Sequence, residues 1–531
     1  MPRTLLIVSG MAALALVAAI PIALRHMRAE IGMTNRHGVR ATLAAAAAML
    51  MGGHAAAALA VPPTSFGVTL SPPSYYRETR MLANLASAAN WGASDRHQIG
   101  ADEVDKDGNV KKLLPGTTLT RLLTPPNLGA RPQVRCTWKG KGEIKAAGRA
   151  AQNVQYGAGS LTFTMNADPA HGALAQLKLL SVDPSDPIRD IDCREAGLPA
   201  DARFDPHYVA SLRGFRVIRF MDWQGSNFNA PVTWATRHLP NGIDNMVADG
   251  VAIEDMVALA RETGAEPWFN MPWNSDDDYY EHFARMVHDN LPADRTVYVE
   301  LGNEVWNHAF KVAGQAQREG QAANLSSNPN EAGLRRYAQR LAHVMDIWKK
   351  VYADRPGRLV RVATCQNGAW CAKTVLSFQD TARHVDAMAT APYFGYRLNS
   401  MTFASPDELF AALDPEIERT LQDALAVKAV AAQFGKRYIT YEAGQHLIFK
   451  DIGFEQRVER DPRMYDAYMK YMNFWRTRIG DLMMLYSSSG SISKYGGWGL
   501  IEYIGQPLSE APKMRAVRDQ MALIQGAKTA H

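Results

Sequence analysis

Short apolar segments alternate with amphipathic, helix-like segments through most of this chain, and this alternation constrains its fold more than any other feature. The predicted strands are Phe66–Ser71, Phe215–Phe220, Glu266–Asn270, Thr296–Leu301, Leu359–Ala363, Val385–Ala389, Arg437–Tyr441 and Leu482–Tyr486. The longest predicted helix runs from Pro406 to Phe434. Strands separated by helices form parallel α/β sheets, and eight such units predict a closed (β/α)8 TIM barrel. An open, doubly wound sheet is the alternative, but the first strand lacks the glycine-rich loop typical of that fold.

The segment between the first and second predicted strands follows a different pattern, in which apolar and polar residues alternate. Gln133–Trp138, Ser160–Met165 and Leu174–Leu180 are examples, and glycine, asparagine and aspartate separate these runs. Such alternation predicts antiparallel strands, so we expect a small antiparallel β-sandwich inserted into the barrel. The predicted regions are an export or anchor region (1–60), the first barrel strand with a linker (61–120), the inserted β-rich domain (121–203) and the remainder of the barrel (204–531).

The first 60 residues contain two apolar patterns. Leu5–Leu24 is an uncharged run of 20 residues, which is long enough to span a membrane. A second pattern starts at Met33, where two arginines precede the apolar segment Ala41–Met51 and a small-x-small sequence at Ala58–Ala60. We therefore expect a signal peptide beginning at Met33, a mature chain from Val61, and export to the periplasm or the extracellular space. The alternative is a membrane anchor retained at residues 5–24.

The net charge of the chain and its cysteines indicate which partners it binds and whether it is exported. The formal net charge is +5 at pH 7, but residues 1–60 hold five arginines and one glutamate, so the expected mature chain has no basic excess that indicates nucleic-acid binding. Export favours two disulfides, Cys136 with Cys193 and Cys365 with Cys371, and buried free thiols are the alternative. No Cys-x-x-Cys or histidine cluster indicates a metal, so we expect neither a metal nor a cofactor.

Two glutamates follow predicted barrel strands at the positions where enzymes of this fold carry their active residues. Glu304 closes the sequence Leu-Gly-Asn-Glu after strand four, and Glu442 follows strand seven. Because active residues lie at the carboxyl ends of barrel strands, both side chains are expected in the same mouth. Either glutamate alone is explained as well by a helix cap or a surface ion pair, and it is their joint placement that favours catalysis.

These motifs resemble those of clan A of the glycoside hydrolases. Val299–Asn307 is similar to the acid/base motif of that clan, in which Asn-Glu ends strand four, and Tyr438–Gly444 is similar to its nucleophile motif. The resemblance covers the first strand and roughly residues 205–520. It implies retaining hydrolysis of a β-linked polysaccharide or oligosaccharide, with Glu304 as acid/base, Glu442 as nucleophile and Asn303 bonded to the sugar 2-hydroxyl.

The residue types suit that chemistry. A retaining glycosidase needs two carboxyl groups about 5–5.5 Å apart, one to attack the anomeric carbon and one to protonate the leaving oxygen and then activate water. Nearby charge sets proton affinity. We therefore expect the pKa of Glu304 to change between the two steps, being lower while Glu442 is ionised and higher once Glu442 is esterified.

Other residues at strand ends are expected to orient the glutamates or contact sugar. Arg219, near the end of strand two, is expected to orient Glu442, and Tyr393, after strand six, is expected to donate to the same carboxylate. Trp498 resembles the strand-eight aromatic that floors the −1 sugar site in clan A. The further expected subsite residues are Asn270, Trp273 and Trp223, the last beside Asp222. A purely structural ion pair or packing role is the alternative for each of them.

The chain also departs from the clan pattern. Asn270 ends strand three, where many members carry histidine, and the β-rich insertion is not general to the clan, so the substrate stays open. Glu300 alternates with apolar neighbours and is expected to face the barrel wall and meet a basic partner. Two other functions remain: a non-catalytic polysaccharide-binding barrel, which has no need of both glutamates, and a metal-dependent hydrolase, for which clustered histidines are missing.

Overall fold

The structure is a computed structural model that describes residues 61–74, 76–127, 130–240 and 250–529. The chain divides into a unit of residues 1–60 and a unit of residues 61–531, and the second unit is described below. The expected signal peptide and the apolar run Leu5–Leu24 lie outside the described residues. Within the described ranges, no helix has the length and apolar character needed to cross a membrane.

The strands and helices are numbered in chain order within the described residues. The strands are β1 (Ser65–Thr69), β2 (Gly92–Ala93), β3 (Leu119–Leu122), β4 (Gln133–Lys139), β5 (Gly142–Ala147), β6 (Ala151–Gly157), β7 (Ser160–Met165), β8 (Gln176–Val182), β9 (Arg189–Glu195), β10 (Val217–Arg219), β11 (Glu266–Met271), β12 (Val297–Leu301), β13 (Leu359–Cys365), β14 (Ala387–Thr390), β15 (Arg437–Thr440) and β16 (Leu482–Tyr486). The α-helices are α1 (Pro206–Leu212), α2 (Ile253–Thr263), α3 (Asp277–Asn290), α4 (Lys311–Ala322), α5 (Pro329–Val351), α6 (Ala369–Ser377), α7 (Thr381–His384), α8 (Pro406–Gln433), α9 (Ile452–Glu459), α10 (Pro462–Phe474) and α11 (Pro512–Thr529).

Eight parallel strands form the barrel, in the spatial order β15-β14-β13-β12-β11-β10-β1-β16. The ring closes between β15 and β16. Thr440 Oγ1 donates to the carbonyl of Met484 at 3.0 Å and accepts from the amide of Met484 at 2.7 Å. The amide of Tyr486 donates to the carbonyl of Ala443 at 3.0 Å. The predicted (β/α)8 barrel is confirmed, and the open doubly wound sheet is excluded because the first and last strands are neighbours.

Apolar side chains fill both faces of the barrel wall. Val217, Trp268, Tyr298, Ile439 and Met484 belong to a cluster contributed almost wholly by the barrel strands, while the helices bury their apolar faces in a second, larger cluster. A barrel whose interior is packed with side chains leaves room for a ligand only at its ends.

The insertion is a pair of four-stranded antiparallel sheets, ordered β2-β3-β8-β5 and β6-β7-β4-β9. Its core is separate from those of the barrel and includes Trp91, Leu119, Phe163 and Leu177. Strands β2 and β3 begin before residue 121, the predicted start of the β-rich domain, and they pair within the first of these two sheets.

Both predicted disulfides are present. Cys136 and Cys193 join paired positions of β4 and β9, and Cys365 joins the end of β13 to Cys371 on α6. These four are all the cysteines of the chain. Disulfides persist in oxidising compartments, so they indicate an extracellular or periplasmic location.

Candidate active site

A cleft of about 470 Å³ opens at the carboxyl ends of the barrel strands. The described residues that line it are Met221, Asn227, Asn303, Glu304, Trp306, Asn307, Phe310, Gln366, Asn367, Ala391, Tyr393, Tyr396, Asn399, Thr420, Asp423, Glu442, His446, Tyr486 and Trp498. Five residues expected from the sequence are among them: Glu304, Glu442, Asn303, Tyr393 and Trp498. The two glutamates, which are 138 positions apart in the chain, thus face the same cavity.

A tight turn after β12 places Glu304. Gly302 has φ 67°, and a Cβ there would lie 2.9 Å from Val305 Cγ2, so this position suits only glycine. Glu304 itself has φ 45°, a left-handed conformation that is uncommon for a residue with a side chain. Such conformations persist where surrounding contacts hold them, and they cluster at functional sites.

Glu304 is buried among neutral hydrogen-bond donors. The Tyr441 hydroxyl donates to Oε1 at 2.9 Å, and Nδ2 of Asn307 donates to Oε2 at 2.7 Å. Burial, and next the negative charge of Glu442, raise the pKa of Glu304 to about 7. The sequence analysis expected ionised Glu442 to lower the pKa of Glu304, and this was wrong. An ionised neighbour makes loss of a second proton harder and therefore raises the pKa. Glu304 therefore holds a proton close to neutral pH.

Glu442 follows β15 and contacts a cation. Arg219 Nη1 donates to its Oε1 at 2.7 Å, and the Tyr393 hydroxyl donates to Oε2 at 2.9 Å. Burial raises the pKa of Glu442 above its ordinary value, although the Arg219 charge and the Tyr393 hydrogen bond act to lower it. Glu304 has no such cation bonded to it, so of the two carboxyl groups Glu442 ionises first. The sequence expectations for Arg219 and Tyr393 agree with these contacts.

A buried network beneath the cleft holds Arg219 in place. Arg219 Nη2 donates to Glu300 Oε1 at 2.6 Å and to Asn303 Oδ1 at 2.9 Å. Trp268 Nε1 donates to Glu300 Oε2 at 2.8 Å, and Asn270 Nδ2 donates to Oε1. Glu300 thus meets the basic partner expected for it. Arg219 therefore forms ion pairs with both Glu300 and Glu442, and its positive charge is shared between the two carboxylates.

Aromatic side chains form one wall of the cleft next to Glu442. The Trp498 ring lies edge-on to Tyr393, Tyr486 and His446, with centroid distances of 5.5, 5.7 and 4.4 Å. Its indole N–H donates to the carbonyl of Tyr495 at 2.7 Å, which fixes the orientation of the ring. Tyr486 was not singled out from the sequence, although its position at the end of the eighth barrel strand is a signal that could have found it.

Asn270 and Trp273 were expected in subsites, but neither lines the cleft. The side chain of Asn270 is fully buried and donates to Glu300 and, at 3.0 Å, to the carbonyl of Gly302, so it supports the network below the site. Trp273 is buried under Arg340, whose guanidinium lies 5.0 Å from the ring centroid. Asn270 lies within β11, where its side chain meets Glu300, and Trp273 follows the strand and packs in the apolar core.

Trp223 is also placed outside the cleft. Its side chain is fully buried, its indole N–H donates to the carbonyl of Ser71 at 3.0 Å, and its ring stacks on Tyr208. The strand β10 ends at Arg219, so the following residues form a turn whose tryptophan packs into the core. The expected subsite role is therefore replaced by a packing role. Asp222, its neighbour, stays partly accessible.

Removing the Tyr393 hydroxyl tests how Glu442 is held. In Tyr393→Phe, loss of a hydrogen bond to a charged group, worth about 1.5–3 kcal/mol, should raise the pKa of Glu442 by about 1–2 units. If ionised Glu442 is required, the acidic limb of the kcat/KM profile moves to higher pH. Tyr396→Phe is the control, since Tyr396 lines the same cleft without bonding either glutamate. An unchanged limb in Tyr393→Phe, or an equal shift in both variants, would contradict this role.

The chain was compared with known protein families, curated proteins and solved structures. No family model and no curated protein matches the chain. Several solved structures are similar to it at low sequence identity. An α-L-arabinofuranosidase from Thermotoga maritima, in its arabinose complex, is 14% identical over 53% of this chain and 56% of its own, with a TM-score of 0.36. This chain thus spans less than two thirds of that enzyme.

Two further similar structures differ in coverage. An endo-β-1,4-mannanase from Thermotoga petrophila is 14% identical over 60% of this chain and 72% of its own, with a TM-score of 0.35. The N-terminal endo-1,4-β-D-xylanase 10B modules from Clostridium thermocellum, complexed with xylohexaose, are 9% identical to this chain. The match covers 83% of this chain and 94% of the xylanase chain, with a TM-score of 0.37. These structural neighbours are glycoside hydrolases. The similarity is too distant to assign a substrate or a mechanism to this chain.

Proposed function

We propose that this protein is a retaining glycoside hydrolase that cleaves a β-linked polysaccharide outside the cytoplasm. The observation that carries the proposal is the contrast between two buried carboxyl groups in one cleft. Glu304 is bonded by neutral donors and has a pKa of about 7, whereas Glu442 is bonded by Arg219. One group thus keeps a proton while the other is ionised, which is the pairing that a double displacement requires.

The reaction assigns a role to each contact. Glu442 attacks the anomeric carbon while Glu304 transfers its proton to the departing glycosidic oxygen, giving a glycosyl ester on Glu442 and a free sugar hydroxyl. Esterification removes the negative charge of Glu442, so the pKa of Glu304 falls and the residue becomes a base. Glu304 then takes a proton from water, the hydroxide oxygen bonds the anomeric carbon, and Glu442 leaves as a carboxylate.

Neighbouring side chains support both steps. Arg219 and Tyr393 orient Glu442, and Asn303, whose Oδ1 accepts from Arg219 while its Nδ2 donates to Asn227 at 2.9 Å, is placed to bond the sugar 2-hydroxyl. Trp498 and Tyr486 offer rings against which the apolar face of a sugar can stack. The cleft residues thus combine aromatic surface with a few fixed polar groups, as sugar sites require.

Trapping of the intermediate tests this proposal. The protein is incubated with 2,4-dinitrophenyl 2-deoxy-2-fluoro-β-glycosides of several sugars, and mass spectrometry of its peptides locates the label. We expect a glycosyl ester on Glu442, and proton NMR of early hydrolysis products should show the β-anomer first. Label on another residue, or α-anomer first, would overturn the retaining mechanism. Glycan binding without labelling or turnover would support a non-catalytic binding barrel instead.

A further inference from the structure

The ionisable side chains that line the cleft are mostly carboxylic acids. Among the described residues that line it, Glu304, Glu442 and Asp423 are carboxylic acids, and none is lysine or arginine. Asp222 lies outside the lining but is near enough for the charge of Glu442, after burial, to raise its pKa to about 7. The cavity therefore presents carboxylates to a ligand without a cation among its described lining residues.

Two arginines outside the lining face carboxylates of the protein. The side chain of Arg219 is fully buried, and its donors are bonded to Glu300, Glu442 and Asn303. Arg397 does not line the cleft; its guanidinium lies 3.5 Å from a Glu416 oxygen and 3.9 Å from an Asp423 oxygen. Arg219 is thus buried with its donors occupied, and Arg397 faces two carboxylates of the protein.

The one histidine in the described lining does not supply a positive charge either. His446 packs edge-on against Trp498, and burial lowers its pKa below the ordinary value. A lowered pKa means that the imidazole is neutral at neutral pH. His446 therefore adds no positive charge to the cleft lining.

The other polar groups of the cleft suit uncharged hydroxyls. Six lining residues carry side-chain amides: Asn227, Asn303, Asn307, Gln366, Asn367 and Asn399. An amide both donates and accepts hydrogen bonds, as a sugar hydroxyl does. A carboxylate or sulfate, by contrast, only accepts, and recognition of such groups commonly relies on arginine or lysine.

We propose that the substrate is a neutral glycan, whose sugars carry neither carboxylate nor sulfate where they bind the cleft. This inference rests on the proposed function. A uronate at the sugar bonded to Glu442 would bring its own charge close to carboxylates in a partly desolvated cleft, and like charges in that arrangement repel strongly. The cleft therefore selects against acidic polymers by charge, independently of linkage.

Matched sugars that differ only at C6 test the inference. The rate of labelling of Glu442 is measured with 2-deoxy-2-fluoro-β-hexosyl reagents and with the β-hexuronyl reagents of the same configuration. We expect the hexosyl reagent to label at least about 100-fold faster, and we expect added salt to narrow the difference because it screens charge. Equal or faster labelling by a hexuronyl reagent would overturn the inference and leave the proposed function standing. Absence of labelling by every pair would overturn the proposed function itself.

A variant that removes one cleft carboxylate tests whether the preference for the hexosyl reagent comes from charge or from the shape of the cleft. Asp423→Asn should narrow the hexosyl-to-hexuronyl ratio severalfold, since it removes one of the cleft carboxylates. Asp414→Asn is the matched control: Asp414 lies on the same helix, α8, and pairs with Lys470 at 2.6 Å away from the cleft lining. An unchanged ratio in Asp423→Asn, or an equal change in both variants, would contradict selection by cleft charge.

Discussion

Replacing Glu442 with alanine should reduce polysaccharide hydrolysis by roughly 10⁵-fold or more, because losing a covalent nucleophile removes the low-barrier route entirely. Azide should then restore turnover and yield an inverted glycosyl azide. The structure gives a physical reason for that rescue. Removal of the side chain opens space next to Arg219, whose Nη1 lies 2.7 Å from the Glu442 oxygen, and an anion placed there regains a charge-assisted bond.

The fold should survive this substitution. Arg219 keeps Glu300 at 2.6 Å after Glu442 is gone, so no uncompensated charge is left buried. Thermal unfolding followed by circular dichroism checks this, and Glu442→Gln, which keeps the shape of the side chain, should be equally inactive without azide. Near-normal activity in a folded Glu442→Ala protein would rule out the nucleophile assignment.

Both glutamates were predictable from the sequence because the barrel relates strand order to position. Once eight strands are counted, a residue just past the end of any strand must lie at one mouth, whatever its distance along the chain. Glu304 lies three positions beyond the fourth strand, Glu442 lies two beyond the seventh, and Arg219 ends the second. The end of each of these three strands was predicted to within one residue.

Two of the errors concern tryptophans in the loops after strands. Trp223 lies four positions beyond the end of β10 and Trp273 lies two beyond β11, and in both cases the loop packs the ring into the apolar core. Cleft residues such as Asn367 and Asn399 were also missed, and they come from loops without periodicity. Loop geometry depends on tertiary contacts that no local pattern reports.

Local pattern also missed the partners of Glu304. Tyr441 precedes the nucleophile in the chain, yet its hydroxyl donates to the other glutamate at 2.9 Å. Burial alone would raise the pKa of any glutamate, so burial does not distinguish the two carboxyl groups. Their difference comes from which neighbours donate to them: neutral groups in one case and Arg219 in the other. That assignment needs three-dimensional contacts.

Replacing Glu304 with alanine should lower kcat on polysaccharide by roughly 10²–10⁴-fold, the contribution expected of a general acid and base. Formation of the glycosyl-enzyme from a 2,4-dinitrophenyl glycoside should be much less affected, because that leaving group departs without a proton. The wild-type kcat/KM on polysaccharide should decline as pH rises through about 7, where Glu304 loses its proton in the free enzyme.

The pH profiles of two variants test whether Glu304 is the group that titrates on the alkaline limb. In Glu304→Ala the alkaline limb should disappear, since the group that titrates there is gone. Asn307→Ala keeps the carboxyl group but removes a donor that favours its ionised form, so the pKa of Glu304 rises and the limb should move to higher pH. If the limb persists near pH 7 in Glu304→Ala, another group supplies the proton. If glycosyl-enzyme formation from the dinitrophenyl glycoside slows as much as polysaccharide hydrolysis, Glu304 does not assist the leaving group.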